Sequence, residues 1–218
     1  MKKYVAESIT GTLSTPSKMP CHGYSIPAAN CITGSKLRNV EGSTCSDCYA
    51  CKGRYTFPNV QDALETRFAS LTDPLWEDAL ISLIERTGDK YFRWHDSGDL
   101  QSVAHLQRIV NVCKALPNVT FWLPTREYKF VLDYLKNGGV IPDNLTVRLS
   151  AHMVDTAAPK YGFPTSTVHS TSIDNPLRVL NSIPSNSHVC PSPKQGNKCH
   201  DCRACWDKSV ANVSYHAH

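Results

Sequence analysis

Several common routes to function are missing from this sequence. Ser97 is not framed by a G-x-S-x-G elbow, so a hydrolase built on that serine is set aside. No glycine-rich loop of the phosphate-binding kind is present. No apolar run approaches the roughly 18–20 residues that a membrane helix needs. Met1-Lys2-Lys3-Tyr4 leads into polar sequence where a secretory signal would place an apolar stretch, so a soluble, cytoplasmic protein is expected. Strong charge of one sign is lacking too: 23 Lys+Arg against 19 Asp+Glu give a net charge of +4, spread along the chain. That balance permits an anionic partner without demanding one.

What the chain has in excess is cysteine, ten in 218 residues. Disulfides are rare in reducing compartments, so clustered thiols there point to metal or redox chemistry. Hydrophobic residues make up 41%, enough for a core, and the length suits one domain or one domain with a small terminal module.

Residues 1–56 are rich in Gly, Ser, Thr, Pro and Cys and read as short strands and loops. Val60, Leu64, Phe68 and Leu71 recur at helical spacing. Asp73-Pro74 reads as a cap followed by proline at the first helical position of a second amphipathic helix, which Gly88 ends. A repeat of strand and helix then begins. Strands are expected at residues 91–94, 119–123 and 145–149, with a fourth at 167–169. Helices are expected at residues 100–116 and 126–135. This alternation implies parallel strands with crossover helices, an α/β fold in the form of a partial (β/α) barrel. The core with its Cys-rich N-terminal loop is assigned to residues 1–183. A Cys-rich tail, too polar to form a core alone and able to fold around a metal, is assigned to residues 184–218.

Parallel βα folds carry their chemistry beyond the carboxyl ends of the strands. Those exits read His95-Asp96-Ser97-Gly98-Asp99, Pro124-Thr125-Arg126-Glu127, Ser150-Ala151-His152 and His169-Ser170. Asp96 and Asp99 could position a hydroxyl or amine, Arg126 could grip a carboxylate through two bonds, and His95, His152 and His169 could exchange protons. Ser97, Gly98, Thr125 and Ser150 line the same exits as candidate cofactor contacts. The plainer role for Asp99 and Thr125 is helix capping.

The thiols form two groups, Cys21-x9-Cys31-x13-Cys45-x2-Cys48-x2-Cys51 and Cys190-x8-Cys199-x2-Cys202-x2-Cys205, with Cys113 apart on the inward side of a helix as a buried small hydrophobe. Three cysteines at successive two-residue gaps crowd a single zinc ion and suit the larger iron–sulfur cube. Cys190, Cys199, Cys202 and Cys205 make a complete ligand set. In the first group spacing alone selects Cys45, Cys48 and Cys51, and five thiols exceed what one cluster takes. Zinc with nucleic acid is the competing reading: Lys194, Lys198, Arg203 and Lys208 surround the last cysteines, and Trp206 and Tyr215 could stack on bases.

The segments Tyr24-Ser25-Ile26-Pro27-Ala28, Cys31-x-Thr-Gly and Glu41-Gly42-Ser43-Thr44-Cys45-Ser46-Asp47-Cys48-Tyr49-Ala50 resemble the phage "gene product 88" family. So do Gln195-Gly196-Asn197-Lys198-Cys199-His200-Asp201-Cys202-Arg203-Ala204-Cys205-Trp206-Asp207 and Val213-Ser214-Tyr215-His216. The resemblance implies a bacteriophage origin, hence the cytoplasm of an infected bacterium. More distantly, Cys31 with Cys45-x2-Cys48-Tyr49-Ala50, a strand ending in Ser-Gly-Asp, and Leu123-Pro124-Thr125-Arg126 are similar to phage proteins related to radical S-adenosylmethionine enzymes. That likeness implies one [4Fe–4S] cluster on Cys31, Cys45 and Cys48, S-adenosylmethionine at its open iron, a reductant such as flavodoxin or ferredoxin, and a small-molecule or macromolecular substrate. The second cysteine group would hold an auxiliary cluster. The pattern departs from the superfamily's C-x3-C-x2-C, because thirteen residues separate Cys31 from Cys45. An electron-transfer, redox-sensing or structural iron–sulfur protein needs the clusters alone.

Overall fold

Strand β4, Leu145–Ser150, alternates apolar and polar residues, yet all six are buried. A strand of that pattern usually shows its polar side to water. Here both sides are covered, and the two covers differ. The computed structural model that shows this describes residues 1–170 and 184–217; residue 183, the expected end of the core, lies outside them.

The sheet also contains β1 (Gly23–Tyr24), β2 (Tyr91–Trp94), β3 (Thr120–Thr125), β5 (Thr165–His169), β6 (Ser187–Val189) and β7 (Asn212–His216). Its order is β1-β2-β3-β4-β5-β7-β6, and every pairing is parallel. The helices are α1 (Lys3–Thr10), α2 (Ile32–Leu37), α3 (Pro58–Ala69), α4 (Trp76–Thr87), α5 (Val103–Ala115) and α6 (Tyr128–Lys136). The result is an open all-parallel α/β sheet of partial-barrel type.

One sheet face carries Phe92, Trp94, Phe121, Leu123, Leu145, Val147 and Leu149. They pack with Trp76, Leu80 and Ile84 of α4, Leu106, Ile109 and Cys113 of α5, and Val131 and Tyr134 of α6. Cys113 is fully buried there, as its helical position predicts. The opposite face carries Trp122, Thr146 and Arg148. Its cover is the connection between β6 and β7, residues 190–211. Trp206 packs on Trp122 at 5.3 Å and on Tyr91 at 5.6 Å between ring centroids, and its indole N–H donates to the Phe92 carbonyl.

Several local expectations are corrected. The glycine- and serine-rich start hides α1, whose Ala6 packs on Ala79 and Leu83 of α4. Asp73 acts a turn early, accepting from the Leu75 N–H at 2.8 Å, and α4 starts at Trp76; Gly88 does end it, at φ 69°. Ser102, not Asp99, caps α5, accepting from the His105 N–H at 3.0 Å. The polar tail contributes two strands to the common sheet, because main-chain pairing of β7 with β5 and of β6 with β7 needs no apolar periodicity. Among the described residues no helix is long and apolar enough to cross a membrane.

Candidate functional site

The exits of β2 and β3 are locked to one another by a single carboxylate. Asp99 is buried, and Oδ1 accepts from the Leu100 N–H at 2.7 Å and from the Thr125 hydroxyl at 2.6 Å, while Oδ2 accepts from the Arg126 N–H at 2.8 Å. Burial raises its pKa to about 6, against the lowering effect of those three donors. Thr125 in turn accepts from the Glu127 N–H at 3.0 Å. Both residues therefore build the mouth of the sheet; Ser102 caps α5, and the N-cap of α6, Glu127, makes no side-chain cap bond. Gly98 turns the chain at φ 82°, where a Cβ would lie 2.3 Å from Ile26 Cγ1, so only glycine fits.

Three of the N-terminal cysteines reach this mouth, each by its own tether. Cys31 is the N-cap residue of α2. The Glu127 carboxylate accepts from the Thr33 N–H at 2.6 Å and its hydroxyl at 2.9 Å, holding that helix end against the β3 exit. Cys45 follows Thr44, whose N–H donates to the His152 carbonyl at 2.9 Å and whose hydroxyl donates to the Ala151 carbonyl at 3.0 Å beyond β4. Cys48 precedes Tyr49, whose hydroxyl donates to the Asp96 carbonyl beyond β2. Glu127 stands in the β3 exit, but the sequence gives it no role there; Thr33, Thr44 and Tyr49 are missed by a search of the strand exits because they lie beside the cysteines. Their nearness in sequence to the thiols is the signal that could have found them.

The sulfurs converge. An added Cβ on Gly34 would lie 3.6 Å from both Cys31 Sγ and Cys45 Sγ. Burial raises the Cys31 thiol pKa, and the Cys48 and Cys45 thiols push it the same way. Burial likewise raises Cys45 and Cys48, and Arg126 draws all three back down. Arg126 Nε donates to Thr44 Oγ1 at 2.9 Å, and its two terminal nitrogens have no partner among the described residues. Cys51, which spacing alone favours as a ligand, is exposed and stands next to Cys48.

A sequence model described as Gene product 88 matches residues 2–208. The chain belongs to the gene product 88 family. No curated protein and no solved structure matches it.

The other predicted residues of this gene product 88 chain divide between the mouth and elsewhere. The His152 ring stacks on Tyr128 at 4.6 Å and, with Thr33, Arg126 and Tyr161, lines a cleft of about 450 Å³. Asp96 is occupied by Arg93 at 2.6 Å and by the Tyr55 hydroxyl. Ser150 Oγ accepts from Ser166 Oγ at 2.9 Å, so it serves the sheet. Ser97 Oγ is buried without a partner among the described residues. His95 points into the core beside His105, 5.4 Å away, and burial lowers its pKa well below 6.5. His169 pairs with Ser214 Oγ at 2.8 Å and faces His216.

The second thiol group lies on the covered inner face. Cys199 is influenced by Cys190 and Cys202, and Cys205 by Cys190; burial is the main cause of their raised pKa, to about 12 for Cys205. Cys205 Sγ lies 3.1 Å from the Tyr215 hydroxyl, and Cys202 Sγ lies 3.4 Å from His188 Nε2. Cys21 sits beside Cys199, with Met19 Sδ 3.9 Å from the Cys199 sulfur. Trp206 is 3% exposed and packed among rings, so it does not offer a stacking surface to a base. Among the described residues no three His, Cys, Asp or Glu side chains are grouped closely enough to hold a single metal ion.

Proposed function

We propose that the protein is an iron–sulfur protein of the infected bacterial cytoplasm, with one [4Fe–4S] cluster at the sheet mouth and a second on the inner face. The observation that carries this reading is the tethering of Cys31, Cys45 and Cys48 to three neighbouring strand exits around Arg126. Thiolate is the ligand iron–sulfur cubes take, and a cube spreads its four ligands wider than a single ion does. The donor set fits: three sulfurs, a glycine at residue 34 where a side chain would crowd them, and a guanidinium to offset thiolate charge.

Three protein ligands leave one corner of the cube for an exogenous molecule. When bound there, such a cluster supplies single electrons and an open coordination position, the chemistry that enzymes cleaving S-adenosylmethionine use. The chain's own contribution is to orient. Asp99 fixes the loops, Arg126 offers an anionic group two terminal nitrogens that have no partner among the described residues, and the cleft lined by Tyr128, His152 and Tyr161 gives a ring-bearing ligand a place beside them. Cys190, Cys199, Cys202 and Cys205 would fill all four corners of the second cube, which suits a structural or electron-carrying role.

The test is anaerobic purification with iron and sulfide analysis. About eight irons per chain are expected, about four for each cube. Replacing Cys31, Cys45 and Cys48 together by serine should remove about half, whereas Cys113→Ser should remove none. A colourless, iron-poor, well-folded chain would overturn the proposal. Formation of 5′-deoxyadenosine by the dithionite-reduced protein would support the enzymatic form; intact clusters that reduce reversibly without it would leave the electron-carrying form.

A further inference from the structure

Cys51 is left over by the ligand assignment, and its geometry gives it a different task. Tyr49–Cys51 forms a single 3-10 turn with Cys48 at its N-cap, and the Cys51 N–H donates to the Cys48 carbonyl at 3.0 Å. In such a turn residues three apart eclipse with a rise of about 2 Å per residue, or about 6 Å over the pair. That lies inside the Cα separation a disulfide accepts. The two thiols are near enough that Cys51, after burial, adds to the raised Cys48 pKa. Cys51 is exposed, and Cys48 is half-buried behind it.

We propose that Cys48 and Cys51 form a redox-active dithiol that exchanges with small-molecule disulfides. The Cys51 sulfur attacks one sulfur of glutathione disulfide; one glutathione leaves as thiolate and takes up the proton that Cys51 gives up. The Cys48 sulfur then displaces the second glutathione, which takes the Cys48 proton. Two protein thiols become one disulfide, and glutathione disulfide becomes two thiols. The consequence for the mouth rests on the cluster reading above: Cys48 cannot bind iron while it is bonded to Cys51, so an oxidised chain cannot complete the site.

The experiment treats iron-free full-length chain with glutathione disulfide and maps the products by mass spectrometry. The expected product lacks two hydrogens and yields one peptide pair bridged between Cys48 and Cys51. Cys51→Ser should abolish that bridge while leaving iron loading of untreated protein unchanged. Pre-oxidised wild-type chain should load less iron at the mouth, and dithiothreitol should restore it. Glutathione that stays on Cys51 with no bridge, or a bridge formed elsewhere, would overturn the proposal. A chain that forms the bridge but takes up no iron under any condition would support the dithiol and sink the cluster reading, so the two are separable.

Discussion

The Arg148 guanidinium, fully buried on the inner sheet face, donates from Nε to the Cys205 carbonyl at 2.9 Å. Its terminal nitrogens reach the carbonyls of Ala204, Asp207 and Val210 in the same loop and Thr165 in β5. One side chain thus converts a strand position into the anchor of the cysteine loop. A buried guanidinium is costly unless every donor is used, and here backbone oxygens, which would otherwise be orphaned under the loop, use them.

Arg148→Met should therefore destabilise the chain by about 3–5 kcal/mol, since it leaves several buried carbonyls without donors. Denaturant titration gives the loss. Limited proteolysis should show new cleavage between residues 199 and 210, and unchanged protection there would refute the anchoring role.

Gly34→Ala separates the mouth site from folding. Alanine in a helix ordinarily gains about 1 kcal/mol over glycine. Here the new methyl would sit 2.9 Å from Cys31 Cβ and in contact with two sulfurs, forcing Cys31 aside. The expected result is a chain of near-normal melting temperature that loses about half its iron; full iron content would count against Cys31 and Cys45 as ligands.

Gly98→Ala should cost more than 3 kcal/mol, roughly, because it combines a positive φ of 82° with a clash against the Ile26 backbone and side chain. A midpoint shift of less than half that size in urea would show that the β2 exit can relax.

His105 gives the stability a defined pH slope. Burial, and then Arg108, lowers its pKa from 6.5 to about 3. The unfolded chain binds the proton first, so this contribution is complete above pH 6.5 and is lost as pH falls towards 3. The slope is at most about 1.4 kcal/mol per pH unit for one such histidine. His105→Gln should flatten the curve of unfolding free energy between pH 6.5 and 4; an unchanged curve would mean that another group sets it.

Glu127→Gln should cost about 1 kcal/mol as its charged hydrogen bonds to Thr33 weaken. Because Thr33 lies two residues from Cys31, the variant should also shift the electron paramagnetic resonance signal of the cluster proposed at the mouth, once reduced. The signal of an inner-face cluster should stay fixed.

Much of the scaffold is legible in the chain alone. Alternating short apolar strands and amphipathic helices between residues 91 and 150 suffice for a parallel α/β sheet, since only crossover connections join parallel neighbours. Local pattern fails for β6 and β7, whose residues are mostly polar; they are held by main-chain pairing and by contacts such as the Asn212 amide with Thr167 and Ser187 hydroxyls. It also fails for α1, which is stabilised by packing on α4.

By itself, the sequence determined a thiol-rich chain with an α/β core and polar strand exits. Only the tertiary structure decided which thiols meet. Cys31 joins Cys45 and Cys48 from fourteen or more residues away because Glu127 and Asp96, on separate strand exits, hold the segments that carry them, while Cys51, three residues from Cys48, is exposed. Spacing along a chain constrains only neighbours; contacts between distant strands are fixed by burial and by the pairing of polar groups that burial requires.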